Sequence, residues 1–261
     1  FPDFLASIDQ YINLEALFFN SLDFEDDQLN QLFEGLSGLS HFKKLDLALC
    51  ELTTIPASIT GLQQLTTLDL MGNKLVSLPE AITEINTLEY LELSNNRSLT
   101  YLHENIGQLQ NLQYLGFAGT KVSSIPESIG ECTHLYNITG NACRLNSIPT
   151  SIGNCTVLLD LNFAANELTS VPEEIGQLTY LRSLSLGYNE LTEIPGSFAN
   201  LDQVTFLGLG HNQLMEVPIA TLDLDKVVNL WFHENEITRM PPEIAELPSL
   251  ISLLLDEEKI N

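Results

Sequence analysis

Basic residues are what this chain has least of. Its 261 residues carry 10 Lys and Arg against 35 Asp and Glu, a formal net charge of −25 at pH 7. Nucleic-acid binding runs on clustered cations that displace phosphate counterions, and docking on anionic lipid needs the same cations. The balance argues against both. Long hydrophobic runs are also lacking: no stretch approaches the roughly 18 to 20 apolar residues of a membrane helix. The opening segment FPDFLASIDQYI has neither the basic start nor the continuous apolar run of a secretory signal. A disordered acidic tail is excluded in turn, because only 17 % of residues are charged while 44 % are hydrophobic. Catalytic signatures are missing as well. Five histidines, at 41, 103, 134, 211 and 233, show no metal-ligand spacing. Gly208-Leu209-Gly210 lies within a strand pattern and lacks the third glycine of a phosphate loop. Neither an enzyme activity, a metal nor a cofactor is expected.

What is present is a period. The apolar residues opening each LxxLxLxx segment are Phe19, Phe42, Leu65, Leu88, Leu112, Leu135, Leu158, Leu181, Val204, Val227 and Leu250. Successive members are 23 residues apart throughout, except for 24 between Leu88 and Leu112. One unit, Leu158 to Tyr180, runs LLDLNFAANELTSVPEEIGQLTY, so the pattern is LxxLxLxxNxLxxLPxxIxxLxx. Its LxLxx core alternates with the period of a strand. The prolines at 56, 79, 126, 149, 172, 195, 218 and 241 cannot donate to a ladder and predict an extended segment. The closing xxIxxLxx suits a helical or 3-10 turn. No unit buries its leucines alone, so units must stack, with parallel strands about 4.8 Å apart. The expected fold class is α/β: a curved solenoid with a parallel sheet on its concave side and short helical or 3-10 segments on its convex side. About ten full units of 23 to 24 residues and a partial last one are expected over 19–261. Residues 1–18 are expected to form a capping helix through Leu5, Ile8 and Ile12.

This pattern resembles the leucine-rich repeat family, and the resemblance runs from Phe19 to the end of the chain. The half-unit Val171-Pro172 with Ile175, Gly176 and Leu178 is similar to the intracellular type found in Ras-scaffold, Scribble-like, plant Ras-group-related and bacterial repeat proteins. The resemblance implies a protein-interaction scaffold, either a signalling regulator or a bacterial effector. Its alternatives are a targeting region excised from a larger enzyme and an extracellular receptor-type domain. The expected partner is a protein, with the chain acting as a monomer.

The ninth position holds Asn73, Asn96, Asn166, Asn189, Asn212 and Asn235, suited to bonding backbone groups across the stack. Asp27, Cys50, Thr120, Cys143 and Glu258 depart from it in this frame. Repeat four carries an extra residue after Asn96 and has His103 in place of proline, consistent with a loop insertion. At the far end, either the acidic run from Asp256 to Glu258 closes the stack or the chain continues. Cys132 and Cys155 replace the buried leucine of the convex turn, and Cys50 and Cys143 fall on the asparagine position. Buried reduced thiols are therefore expected, and with them a cytoplasmic location, or a host cytosol for an effector.

Function then falls to the third, fifth and seventh strand positions, which alternate with the buried leucines. Three zones are expected there. Asp23, Asp46, Asp69 and Glu92 form a carboxylate column suited to a partner with a basic surface. Gly116, Ala118, Ala164, Gly187, Gly208 and Gly210 form a floor of small residues that would admit a partner's backbone. Phe206, Trp231 and His233, with Tyr188 and His211 at the strand exits, form an aromatic group, and Tyr90 and Tyr114 a smaller one. Exposed aromatics in a concavity are typical binding hot spots.

Overall fold

The computed structural model describes residues 1–19, 21–25 and 27–260. Its sheet has eleven strands, paired in sequence order and all parallel. They are β1 (Ala16–Phe18), β2 (Lys44–Asp46), β3 (Thr67–Asp69), β4 (Tyr90–Glu92), β5 (Tyr114–Gly116), β6 (Asn137–Thr139), β7 (Asp160–Asn162), β8 (Ser183–Ser185), β9 (Phe206–Gly208), β10 (Asn229–Trp231) and β11 (Ser252–Leu254). Ten steps of about 4.8 Å give a stack roughly 50 Å long. The solenoid expected from the period, with its parallel sheet, is the architecture observed.

Each unit follows from its residues. The central strand leucine, such as Leu68 or Leu184, is fully buried, and so is the leucine two places on, Leu70 or Leu186. Eight convex segments open on a proline whose backbone is extended, for instance Pro172 at φ −71° and ψ 150°. That proline's carbonyl accepts the N–H three residues on, as Pro172 does from Ile175 at 3.1 Å, and a 3-10 turn results. Ile175 and Leu178 then close the core from the convex side with no exposure. Seven residues of convex chain fit this tight turn, whereas the sheet side needs only three. That difference in width curves the stack.

The ninth-position asparagines form the expected ladder. Asn189 donates to Phe163 O at 3.0 Å in the preceding unit and to Leu186 O at 2.9 Å in its own, and accepts Leu168 N–H at 3.0 Å. Asn73, Asn96, Asn166, Asn212 and Asn235 repeat the arrangement. Cys143 imitates it, its Sγ reaching Phe117 O at 3.1 Å, which is the same 26-residue step back. All four cysteines are free thiols. Burial pushes the Cys132 thiol up to about 12 and the Cys155 thiol up to about 11.

The first unit departs from the expected frame. Ala16, Leu17 and Phe18 pair with Lys44, Leu45 and Asp46, so the anchor of that unit is Leu14, not Phe19. Phe19 takes the place that Leu47 holds in the next unit, its N–H donating to Asp46 O at 2.9 Å. The unit is consequently 28 residues long from Leu14 to Phe42. The extra five residues admit a true helix, α1 (Gln28–Leu36), which buries Leu32, Phe33 and Leu36. Asp27 precedes that helix in a left-handed conformation and does not sit on the ladder. At the start of the chain, two separate short turns, Pro2–Leu5 and Ile8–Gln10, replace the single helix expected. Leu5 and Ile8 are buried there, whereas Ile12 is exposed, because the chain turns away after Gln10. The extra residue of repeat four is absorbed outside the sheet, since Leu91 still pairs with Leu115.

Candidate functional face

The strand register brings the C-terminal aromatic residues together. Phe206 and Trp231 meet edge to face at 4.8 Å between ring centroids, with 86° between their planes. His233 lies 6.3 Å from Trp231 and 5.0 Å from His211, nearly perpendicular to the latter at 88°. Tyr188 stacks on His211 at 3.8 Å and 14°. All five thus form one continuous cluster, in which Tyr188 is 57 % exposed and Trp231 37 %. Such contacts contribute about 0.5–1.5 kcal/mol per pair beyond burial, enough to hold the rings in place before any partner arrives. Tyr90 and Tyr114 form a second stack at 4.3 Å and 8°, and Tyr114 donates its hydroxyl to Glu92 at 2.8 Å. Burial, chiefly, raises both phenol pKa values, with the Glu92 carboxylate adding to it.

The carboxylate column is shorter and more occupied than expected. Asp23 is not in it: in the corrected register the fifth position of β1 is Phe18, which is 67 % exposed. Asp23 lies in the exposed chain between β1 and α1, because the long first unit displaces it from the sheet. Asp46 and Asp69 each accept the N–H two residues on, from Ala48 and Met71, at 2.9 Å in both cases. Glu92 does the same for Ser94 at 2.7 Å and is itself buried. Partial burial raises the Asp69 pKa, and the charges of Asp46 and Glu92 on either side add to it. These three side chains therefore finish their own strands as well as charging the face.

Three of the six small floor residues are crowded by the protein's own side chains. A β-carbon on Gly116 would strike the Glu92 carboxyl, one on Gly210 the His233 ring, and one on Gly208 would crowd the Phe206 ring at 3.2 Å. Those glycines make room for the protein's own side chains, which corrects the expectation that they admit a partner. Between the two aromatic groups lies a depression of about 400 Å³, bordered by Asn137, Thr139, Asp160, Asn162, Ser185 and Phe206.

One regularity was invisible in the sequence. The eighth residue of every unit from Leu49 to Glu234 is left-handed: Leu49, Gly72, Asn95, Gly119, Ala142, Ala165, Tyr188, His211 and Glu234 all have φ between 53° and 68°. Only two of the nine are glycine, so composition gave no signal for it. This conformation carries Tyr188 and His211 off the strand exits to the rim where they stack. Among the described residues, no three His, Cys, Asp or Glu gather to hold a metal, and no helix is long and apolar enough to cross a membrane.

The fold and the faces so described can be set against known proteins. A family model described as leucine-rich repeat region matches residues 81–193. A leucine-rich repeat protein of Leptospira interrogans superposes with a TM-score of 0.84 at 31 % identity, over 97 % of this chain and 68 % of that one. The chain belongs to the leucine-rich repeat family. Among other solved repeat proteins is the ectodomain of the Arabidopsis thaliana membrane receptor kinase GASSHO1/SCHENGEN3, in complex with CASPARIAN STRIP INTEGRITY FACTOR 2. It matches at 27 % identity and a TM-score of 0.77, over 95 % of this chain and 31 % of that one. The plant peptide hormone receptor RGFR1, in complex with RGF2, matches at 28 % identity and a TM-score of 0.74, over 96 % of this chain and 45 % of that one. The chain thus spans under half the length of either plant receptor. No curated protein matches the chain by sequence. Leucine-rich repeats are in general binding modules, and protein–protein interaction is the role this fold implies.

Proposed function

We propose that this solenoid binds a protein partner in its concavity as a scaffold without chemistry of its own, and that the aromatic cluster of Tyr188, Phe206, His211, Trp231 and His233 is the centre of contact. One observation carries the reading: the only Trp of the chain stands on the concave face, partly exposed and braced by Phe206 and His233, not in the leucine core. Rigid aromatics lose little conformational entropy on binding and dominate contact energies where they occur. The Tyr90–Tyr114 stack is a second contact four strands before β9, about 20 Å away along the sheet. Both plant receptors were solved with a bound factor or hormone, which supports a partner-binding role by analogy.

The test is a partner captured with the intact protein and its affinity for variants. Trp231→Ala and Phe206→Ala should each weaken binding by about 2 kcal/mol with unchanged circular dichroism. Unaltered affinity in both would remove the cluster from the interface. A second reading takes the solenoid as the binding region of a longer protein, and rests on the plant receptors, where the matched part is a minority of the chain. The full reading frame decides that one.

A further inference from the structure

We infer that the partner presents an arginine side chain to the depression beside the aromatic cluster, where Asp160 receives the guanidinium and Phe206 forms its flat wall. The inference rests on the concave-face reading above and names the chemistry of what it binds.

Of the polar side chains around the depression, Asn137, Thr139 and Asn162 are engaged, whereas the Ser183 and Ser185 hydroxyls have no hydrogen-bond partner among the described residues. Asn137 Oδ1 accepts the Thr139 hydroxyl at 3.0 Å, and Asn162 Oδ1 accepts Ala164 N–H at 3.1 Å. Asp160 is the one charged group of this lining, and its half-buried carboxylate has no hydrogen-bond or ion-pair partner among the described residues. A carboxylate held partly out of water without a partner gains most from an incoming cation. Its surroundings give that cation a shape. Asp160, Ser183 and Phe206 occupy equivalent positions on β7, β8 and β9. Asp160 and Phe206 are thus two strand steps apart, roughly 10 Å, with the small Ser183 between them. A planar guanidinium lying above Ser183 sets its fork on the carboxylate and reaches toward the Phe206 side chain across the depression. An ammonium has no fork and no flat face to offer.

The electrostatics of the face agree. Its third, fifth and seventh positions from β2 to β11 hold five carboxylates, on Asp46, Asp69, Glu92, Asp160 and Asp256, and one ammonium, on Lys44. Asp46, Asp69 and Glu92 are tied to their own backbone, and Asp256 lies 3.7 Å from Lys259 and accepts Glu234 N–H. Asp160 alone of the five accepts no hydrogen bond and forms no ion pair among the described residues. An anionic or purely apolar ligand would leave it buried and uncompensated.

The single tryptophan makes the test direct, since Trp231 touches Phe206 and its fluorescence reports on the wall of the depression. The probe is a capped pentapeptide of glycines with a central arginine, compared with the same peptide carrying lysine or glutamine. A saturable change is expected with arginine below about 20 mM, roughly tenfold weaker with lysine and absent with glutamine. Asp160→Asn, which preserves shape, should weaken the arginine peptide at least about tenfold, whereas Glu131→Gln on the exposed convex side should leave it unchanged. No saturable change, equal binding of lysine, or an unaffected Asp160→Asn protein would overturn the inference. With a captured natural partner the two readings separate. If Trp231→Ala loses it and Asp160→Asn does not, the arginine inference fails while the concave-face reading stands. If neither loses it, both fail.

Discussion

At the scale of single residues, the most consequential feature is the left-handed eighth position, repeated nine times with seven non-glycine residues. An L-residue in that conformation costs about 1–2 kcal/mol; glycine removes that strain but loses about 0.4–1 kcal/mol through the greater entropy of its unfolded chain. Ala165, at φ 56° and exposed, isolates the effect because it makes no stacking contact. Ala165→Gly should therefore stabilise the protein by about 0.5–1 kcal/mol, read as a higher urea midpoint with an unchanged slope. A lower midpoint would mean that the left-handed conformation is not a strain at this position. Tyr188 and His211 hold the same conformation, but their 3.8 Å stack offsets part of the cost, so rim and cluster are made by one device. The sequence could not announce it, because alanine, leucine and histidine give no sign of a positive φ. The partners of single side chains were equally hidden. Asp160 could be placed on the facing column by counting from the buried leucines, but that it accepts no hydrogen bond while Asp46, Asp69 and Glu92 do is decided by how the side chains turn in the folded protein.

At the scale of the strand and its unit, the alternation was legible and its consequences were not. The columns counted from Phe42 to Leu250 are the columns observed, because a fully buried leucine row leaves no freedom to slip by one residue. The first unit escaped that logic. Leu14-Leu17-Phe19 and Phe19-Leu22-Phe24 satisfy the LxxLx spacing equally well, and the longer loop feeding a real helix selects the earlier frame. Asp23 left the acidic column for this reason. The column that remains has a measurable cost. Like charges on adjacent strands, roughly 5 Å apart, repel by about 0.8 kcal/mol in water, and Asp69 has one on each side in addition to its burial. Its carboxyl pKa is accordingly raised, so the native state takes up that proton before the unfolded chain does, and this group adds stability as pH falls through the window between the two values. Asp69→Asn removes the charge but keeps an oxygen for Met71 N–H. The variant should be more stable than the parent at pH 7, and the difference should shrink as pH approaches about 4. A variant that is less stable at pH 7 would show that the ionised carboxylate contributes more through its hydrogen bond than repulsion takes away.

At the scale of the whole molecule, the charge imbalance meets an architecture in which each unit touches only its neighbours. Solenoid stability is a sum of local interfaces, with no contact closing one end on the other. Repulsion spread along the stack therefore acts on every interface at once. The chain has few means to offset it: with 10 basic residues against 35 acidic ones, the described residues form two ion pairs, Glu51 with Lys74 and Asp256 with Lys259. Both involve side chains substantially open to solvent at one partner or both, and surface pairs of this kind contribute about 0–1 kcal/mol. Repulsion among a formal 25 excess negative charges has a longer reach than that, extending over several strands when the Debye length is about 30 Å in 0.01 M salt and vanishing beyond a neighbour at about 3 Å in 1 M. Raising sodium chloride from 0.01 to about 0.5 M should therefore increase the thermal midpoint, most of the rise arriving below about 0.15 M as screening cuts off all but adjacent strands. Sodium chloride is chosen because sulfate would also strengthen apolar burial and confound the reading. A midpoint that falls with salt would mean that the few cations hold the stack together more than the carboxylates push it apart. The same titration bears on the partner: screening that stabilises the solenoid alone should weaken its capture of a cationic chain, so stability and affinity are expected to move in opposite directions along one salt axis.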